Sequence, residues 1–374
     1  MKIGILGCGV ISNFYIQEIK RLYSTLMEIT AVADLDTDRA KRTADKFDIV
    51  HAYTVEELLA DQETELIINL TPPAVHTEIN RKILQAGKHV FCEKPFALTV
   101  EEAEEILELA KEKGVKVGSA PDTFLTSSMQ SGRKLLEDGW IGKPLYVTAN
   151  MMSCGVELWH PNPSPFYQNG GGPLYDMAPY YLSVLIHLFG PVQEVFAYCE
   201  KGYETRKIYT GPQQGKTVEV TVPTHYTSVL RMANGVLVNM NMSFDIWHST
   251  LPKMEIYGTE GTLTMPDPNN SDGKASVFRK EQIVAKAFQM PEDIQAYEVP
   301  QRVQNVSEYT RGTGVAEMVV SIQKGRKHRA NGELALHIIE AINGMMESAA
   351  CGKCYKMRST CEQPPLWNWM EECM

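Results

Sequence analysis

Between residues 2 and 119 the chain alternates short apolar runs with amphipathic stretches of helical period, and no other feature narrows the possible folds as much. The apolar runs are KIGILG, EITAVADL, ELIINLT, HVFCEK and VKVGSA. Between them lie ISNFYIQEIKRLYS, TDRAKRTADKF, a shorter TVEELLA, HTEINRKILQAG and TVEEAEEILELAKEKG. Strands separated in this way by helices specify a parallel sheet with crossover helices. Local signals agree with the pattern. Asp36 or Thr37 opens the second helix, Thr99 precedes an acidic first turn as an N-cap, and Gly87 and Gly114 follow helical runs where left-handed C-terminal caps belong.

After about residue 122 the period changes. One more helix, SMQSGRKLLEDGWIG, precedes segments of strict alternation. YTSVLRMANGVLVNMNMSF carries alternating apolar residues on both sides of Asn234-Gly235, which predicts a type I′ hairpin turn with positive φ at both residues. KMEIYGTEGTLTM repeats the pattern around Gly258 and Gly261, and GELALHIIEAINGMMESA reads as a late helix. The second part is therefore α+β. With 374 residues, 44% of them hydrophobic and 22% charged, the chain has material for two cores.

The first strand runs directly into Gly7-Cys8-Gly9-Val10-Ile11-Ser12, which in turn opens a helix. That context gives a short glycine pattern its meaning. Gly7 permits a tight turn, Gly9 lets the backbone approach a pyrophosphate, and Ser12 is small where close helix packing is needed. Val10 and Ile11 then supply the helix N-terminus that faces the phosphates. The second strand ends in Asp34, twenty-two residues beyond Ser12, the place of an acid that binds an adenosine ribose. A carboxylate there accepts from a 2′-hydroxyl and repels a 2′-phosphate, so NAD is favoured over NADP, although Arg39 reaches a phosphate if Asp34 turns away.

With FCEKPFALT at 91–99 the sequence resembles the glucose-fructose oxidoreductase / inositol dehydrogenase / MocA family. GILGCGVIS, LTPPAVH at 70–76, GWIGKP at 139–144 and GGGPLYDMAPYYLSVLIHLFGPV at 170–192 extend the resemblance over nearly the whole chain. It implies an α/β protein: a Rossmann NAD(P)-binding domain over 1–121, and over 122–374 an α+β domain with a large open mixed, mostly antiparallel sheet. It also implies a sugar, sugar derivative or cyclitol as substrate, and a homo-oligomer, dimer or tetramer, assembled through the open sheet.

The resemblance assigns residues as well. Lys94 stands where the family places its lysine, and a cis bond to Pro95 is common in the family. Thr71, Pro72 and His76, together with Glu93 and Lys94, fall where strand-end loops touch the cofactor. Many relatives follow the glycine run with Asp, three residues, His, two residues, Asp; here Asp176 matches the first acid, Tyr180 stands at the histidine and Ser183 at the last acid. Tyr180 resembles the glucose-fructose oxidoreductase and dihydrodiol dehydrogenase branch, which implies an acid/base pair of Lys94 and Tyr180 beside Asp176. Free lysine titrates near 10.4 and a phenol near 10, so each requires a charged neighbour to move a proton at neutral pH. If the segment is helical, Asp176 and Tyr180 share one face. SAPDTF at 119–124 departs from an Arg-containing segment of many relatives and puts Asp122 against the sugar.

VELWHPNPSPFYQNGGG reads as a rigid ligand-facing loop, with Trp159 and His160 as substrate contacts. His187 and Tyr181 read as packing. A net charge of −10 and a pI near 5.5, with KGRKHR at 324–329 the longest basic run, argue against nucleic acid and anionic membranes. MKIGILGCGVI lacks the apolar core of a signal peptide and no stretch has the length a bilayer requires, so a cytoplasmic protein is expected. The eight cysteines read as thiols, because Cys351 and Cys354 form a CxxC but Cys361 and Cys373 stand apart, and no metal is expected. The function expected is NAD(P)-dependent hydride transfer at a secondary hydroxyl. A redox-neutral glycosidase that oxidises, eliminates and reduces again, and a catalytically silent sugar sensor, stand as alternatives.

Overall fold

The computed structural model describes residues 1–270, 273–284, 294–303, 305 and 310–369; Cys373 lies outside the described residues. Two compact units emerge, Met1–Asp122 with Thr310–Ile339, and Thr123–Tyr309 with Glu340–Met374. The first unit therefore differs from a simple division at 121/122, because a late segment returns to it. Nothing in the helical period of that segment names its partner, so the return is a tertiary fact.

The first unit contains β1 (Lys2–Leu6), α1 (Val10–Leu22), β2 (Glu28–Ala33), α2 (Thr37–Phe47), β3 (His51–Tyr53), α3 (Val55–Ala60), β4 (Leu66–Asn69), α4 (His76–Gln85), β5 (His89–Cys92), α5 (Val100–Lys113) and β6 (Val117–Ser119). Its six strands are all parallel, in the order β3-β2-β1-β4-β5-β6. β3 escaped the sequence reading because three residues carry no measurable period. Strands β1, β2, β4 and β5 are almost wholly buried, as strands covered on both faces must be. Asp36 caps α2 through the Arg39 N–H, Thr99 and Glu102 form a capping box on α5, and Gly114 ends α5 in the left-handed region.

The second unit begins with α6 (Ser127–Glu137), β7 (Pro144–Met152), α7 (Gly172–Phe189), β8 (Val192–Glu200), β9 (Thr205–Lys207), β10 (Thr217–Glu219), β11 (His225–Met232) and β12 (Leu237–Ser243). It continues with β13 (Met254–Gly258), β14 (Gly261–Met265), β15 (Ser276–Arg279), α8 (Lys280–Val284) and β16 (Tyr297–Glu298). Then come α9 (Thr313–Gln323), which belongs to the first unit, α10 (Gly332–Cys351), which runs across the boundary, and β17 (Tyr355–Lys356). Nine strands form one sheet in the order β16-β15-β14-β13-β7-β12-β11-β8-β17. All its neighbours are antiparallel except β7 and β12. On β11, Tyr226, Ser228, Leu230 and Met232 face inward, while Val229 joins Tyr146, Tyr198 and Leu237 among the exposed side chains.

The turn between β11 and β12 differs from the expected type I′. Among the described residues Asp48 is the one non-glycine with positive φ, so Asn234 stays on the negative side and Gly235, at φ 87°, alone crosses over. The Gly235 N–H donates to Met232 O at 2.9 Å and Met232 N–H to Val236 O at 2.9 Å. That is a three-residue loop closed by a left-handed glycine, which needs one residue of positive φ instead of two.

Candidate functional site

Strand register brings most of the predicted cofactor residues of the first unit to one edge. Leu6 pairs with Ala33 and with Asn69, Asn69 with Cys92, and Cys92 with Ser119. Gly7, Asp34, Leu70 and Thr71, Glu93 and Lys94, and Ala120 therefore all leave the carboxyl end of the parallel sheet, where open α/β sheets bind ligands.

The glycine turn fits a pyrophosphate. Gly7 has φ 103°, and a Cβ there would lie 2.7 Å from the Leu70 carbonyl carbon and oxygen. Gly9 is the opposite case: a Cβ would meet nothing within 4 Å, which leaves its outer side open to a ligand. Ser12 is buried and its Oγ donates to Gly9 O at 2.7 Å, fastening the first turn of α1. Val10 is 79% exposed at that helix end, unusual for valine and suited to cover by a cofactor. Burial pushes the Cys8 thiol up to about 11, so it stays protonated.

Asp34 is held from two sides. Its Oδ2 accepts the Cys8 N–H at 2.8 Å and its Oδ1 the Asp36 N–H at 2.9 Å. Arg39 Nη1 stands 3.5 Å from Oδ2 on a half-exposed side chain. The carboxylate is thus fixed against the glycine turn, not swung aside.

At the end of β4, Asn69 is buried; its Oδ1 accepts from Thr71 N–H at 3.2 Å and Thr71 Oγ1 at 2.7 Å, while its Nδ2 donates to Asn80 Oδ1 at 2.8 Å. His76 is also buried, with Nδ1 2.7 Å from Pro95 O and Nε2 2.7 Å from Thr71 O. Burial lowers its pKa, against the pull of the two carbonyls. Its ring thereby links the Thr71 loop to the Lys94-Pro95 segment, a bracing geometry that differs from the cofactor contact expected. Pro72 is exposed on the same loop.

Glu93 Oε1 accepts from the Tyr15 hydroxyl at 2.9 Å and Oε2 from the Lys94 N–H at 2.9 Å. Lys94-Pro95 is cis, as is Ala120-Pro121. Asp122 is placed differently from the sugar contact expected: it is 3% exposed and accepts the Gly314 N–H at 2.6 Å at the start of α9. Burial raises its pKa. An acid at the first turn of a helix satisfies orphan amides and the helix dipole, which accounts for its place.

In the second unit, Asp176 and Tyr180 lie one turn apart on α7, Tyr180 buried and Asp176 partly so. The glycines before them are required by contact: a Cβ on Gly171 would lie 2.4 Å from Pro165 O, and Gly172 has φ 77°. Tyr181 donates to Asn150 O at 3.3 Å, and His187 is buried against Phe124 at 5.5 Å between ring centroids. His160 stacks edge-on against Trp159 and Phe166, with Nδ1 accepting the Asn162 N–H at 3.1 Å.

One buried cation organises this loop and was not legible in the sequence. Arg206, on β9, bonds Glu157 at 2.6 Å, Cys154 O at 3.1 Å, Phe244 O at 2.8 Å and the Asp245 carboxylate. The Tyr167 hydroxyl donates to Glu157 and accepts the Val156 N–H at 3.2 Å. Burial, then Glu157, raises the Tyr167 pKa. Sequence offered no signal for Arg206, since its partners are 38 to 52 positions away.

Within the basic run 324–329, His328 and Arg329 are buried while Lys324 and Lys327 stay exposed. Arg326 and Arg329 reach Glu317 Oε1 at 2.7 and 2.8 Å, and Lys327 pairs with Glu333. Among the described residues no helix is long and apolar enough to cross a membrane, and no cluster of three His, Cys, Asp or Glu stands ready to hold a metal.

A parallel sheet in this order, with a glycine turn open to a pyrophosphate and an acid fixed at the end of the second strand, defines a dinucleotide-binding protein of the Rossmann class. Family models sharpen this. "Oxidoreductase family, NAD-binding Rossmann fold" matches residues 1–120 and "GFO/IDH/MocA C-terminal domain" matches 129–264. The chain belongs to the GFO/IDH/MocA oxidoreductase family. It is 28% identical to trans-1,2-dihydrobenzene-1,2-diol dehydrogenase of Bos taurus over 71% of this chain and 74% of that one. It is 24% identical to myo-inositol 2-dehydrogenase of Thermotoga maritima, over 70% and 74%. A match of 30% identity to the uncharacterized oxidoreductase C115.03 of Schizosaccharomyces pombe spans about half of each chain, 54% and 55%. Among solved structures, aldose-aldose oxidoreductase from Caulobacter crescentus complexed with glycerol shares the fold at TM-score 0.76, 18% identity, and coverage of 96% and 99%.

Proposed function

We propose that this oxidoreductase transfers a hydride between NAD and a secondary hydroxyl of a sugar, sugar derivative or cyclitol, with Lys94 and Tyr180 as the acid/base pair. The observation that carries the proposal is the position of Lys94. It leaves the same carboxyl edge as the glycine turn, two strands away, or roughly 10 Å at the usual strand spacing. The names of relatives that act on a diol and on inositol support a hydroxyl substrate.

When bound, the nicotinamide supplies the hydride acceptor or donor. Lys94 holds the reacting hydroxyl oxygen by a hydrogen bond, and Tyr180 takes or returns its proton. Asp176, one turn earlier on α7, accepts from a neighbouring substrate hydroxyl. His76 and Glu93 keep the two loops in place through the Thr71, Pro95, Tyr15 and Lys94 bonds. Preference for NAD over NADP follows from Asp34, whose fixed carboxylate meets a 2′-phosphate as a like charge. Self-association as a dimer or tetramer through the exposed face of the nine-stranded sheet belongs to the same proposal, supported by the exposed Tyr146, Tyr198, Val229 and Leu237 on that face.

The test is an absorbance screen at 340 nm with NAD and then NADP across aldoses, inositols, uronates and glycosides. A rate with NAD that Lys94→Ala and Tyr180→Phe both lose supports the proposal. Cleavage of nitrophenyl glycosides, read as nitrophenol released, with no net NADH formed would replace it by the redox-neutral glycosidase.

A further inference from the structure

Strands β7 and β12 are the parallel pair of the nine-stranded sheet, and they end together, Met152 opposite Ser243. The loops that follow, 153–160 and 244–249, therefore leave one edge side by side. Ile246 N–H donates to Ser153 O at 2.9 Å, and Arg206 reaches Cys154 O on one loop and Phe244 O on the other. Two loops that sequence separates by some ninety residues are thus fixed as the walls of one cleft of about 340 Å³. That is the lower end of the range of roughly 300–1,000 Å³ typical of small-molecule sites.

The lining is specific in its chemistry. Trp159 and Trp247 stand on the two walls, 65% and 66% exposed, although tryptophan is ordinarily well buried. His248, Ser153 and Ser249 supply polar groups. Ser153 Oγ already accepts the Gly155 N–H at 3.1 Å, and Ser249 Oγ the Leu251 N–H at 3.2 Å, which turns both O–H protons toward other acceptors. Among the described residues no Asp, Glu, Lys or Arg lines the cleft. A uronate or sugar phosphate would lack the cation that such groups require.

The geometry points to a subsite for an uncharged pyranose ring, with Trp159 and Trp247 covering its C–H faces and Ser153, Ser249 and His248 meeting its hydroxyls. This rests on the sugar-dehydrogenase reading and narrows its substrate class to neutral sugars or glycosides. Arg206 is a positioning residue here; it lies behind the walls.

The test is equilibrium binding to the full chain by titration calorimetry. The neutral probes are methyl β-D-glucopyranoside and methyl β-D-galactopyranoside; D-glucuronate and glucose 6-phosphate are the anionic ones. Trp159→Ala and Trp247→Ala, both at exposed side chains, are expected to weaken neutral binding on the order of tenfold, while Trp247→Phe stays within about threefold. Saturable neutral binding that the alanine variants lose supports the subsite. Tighter binding of the anions, binding indifferent to both tryptophans, or no saturable binding of either neutral probe overturns it. Hydride transfer is read separately at 340 nm. Tryptophan-dependent binding without any NAD(P) turnover would retain the subsite and remove the dehydrogenase reading. Turnover of a sugar at full kcat/KM in both alanine variants would do the reverse.

Discussion

Asp34 Oδ2 accepts the main-chain N–H of Cys8 at 2.8 Å, so the acid at the end of β2 is also the brace of the glycine turn. Asp34→Ala removes the proposed ribose acceptor and leaves a buried amide unpaired, at a cost of about 1–3 kcal/mol. We expect NAD affinity to fall on the order of 10- to 100-fold and NADP affinity to fall less, Arg39 then being available to the 2′-phosphate. Dissociation constants for both dinucleotides, measured on the variant and on Asp34→Ala/Arg39→Ala, check this; equal losses for the two cofactors would contradict it.

Gly7 and Gly9 separate fold from binding. Gly7→Ala puts a Cβ 2.7 Å from the Leu70 carbonyl at φ 103°, a strained conformation costing about 1–3 kcal/mol, visible as a lower Tm without any ligand. Gly9→Ala meets nothing within 4 Å, so its Tm should match the parent while NAD binding weakens. Thermal scans with and without NAD distinguish the two.

Tyr180→Phe is expected to lower kcat by about 100- to 10,000-fold, the usual worth of a positioned acid or base, with the NAD dissociation constant unchanged. Lys94→Arg keeps the charge but not the compact ammonium, and should not restore the rate. Steady-state kinetics and cofactor titration on each variant test the pair; a Tyr180→Phe enzyme of normal kcat sinks the assignment.

His328 predicts acid sensitivity. Burial lowers its pKa to about 4, with Glu317 and the Val117 carbonyl pulling the other way and Lys116 and Arg326 pushing further down. The unfolded chain, near 6.5, then binds more protons than the folded one between those values. Stability is therefore full above about 6.5 and is lost as pH falls toward about 4. Glu317 acts in the same direction at lower pH: burial raises its pKa, but Arg326 and Arg329 outweigh it and hold the carboxyl below its ordinary value. Urea melts from pH 4 to 7 should show His328→Gln with a flatter dependence than the parent.

Arg206→Met should destabilise the second unit by about 3–5 kcal/mol, because it leaves Glu157 and Asp245 without the cation they surround. Glu157→Gln combined with Arg206→Met should recover part of the loss. Chemical denaturation of both variants measures the difference.

Much of the first unit was readable because its signals are local. Apolar runs of period two or none, helices with their caps at Asp36, Thr99 and Gly114, and a glycine turn between β1 and α1 lie within a few residues of what they determine. The Asn234-Gly235 hairpin was found for the same reason, and its turn type was misread because one positive φ at Gly235 suffices in a longer loop. His76 and Asp122 were readable as residues near the edge, but not in their bonds, since Pro95 and Gly314 reach them only through the fold.

By itself the sequence determined the order of strands and helices, the place of the glycine turn, and the acid at Asp34, because periodicity, capping and spacing act over short stretches of chain. Only the tertiary structure decided that 310–339 returns to the first unit, that Arg206 gathers Glu157 and Asp245, and that Trp159 faces the same cleft as Trp247. Those are contacts between segments far apart along the chain, and their energy comes from burial and pairing that no local pattern encodes.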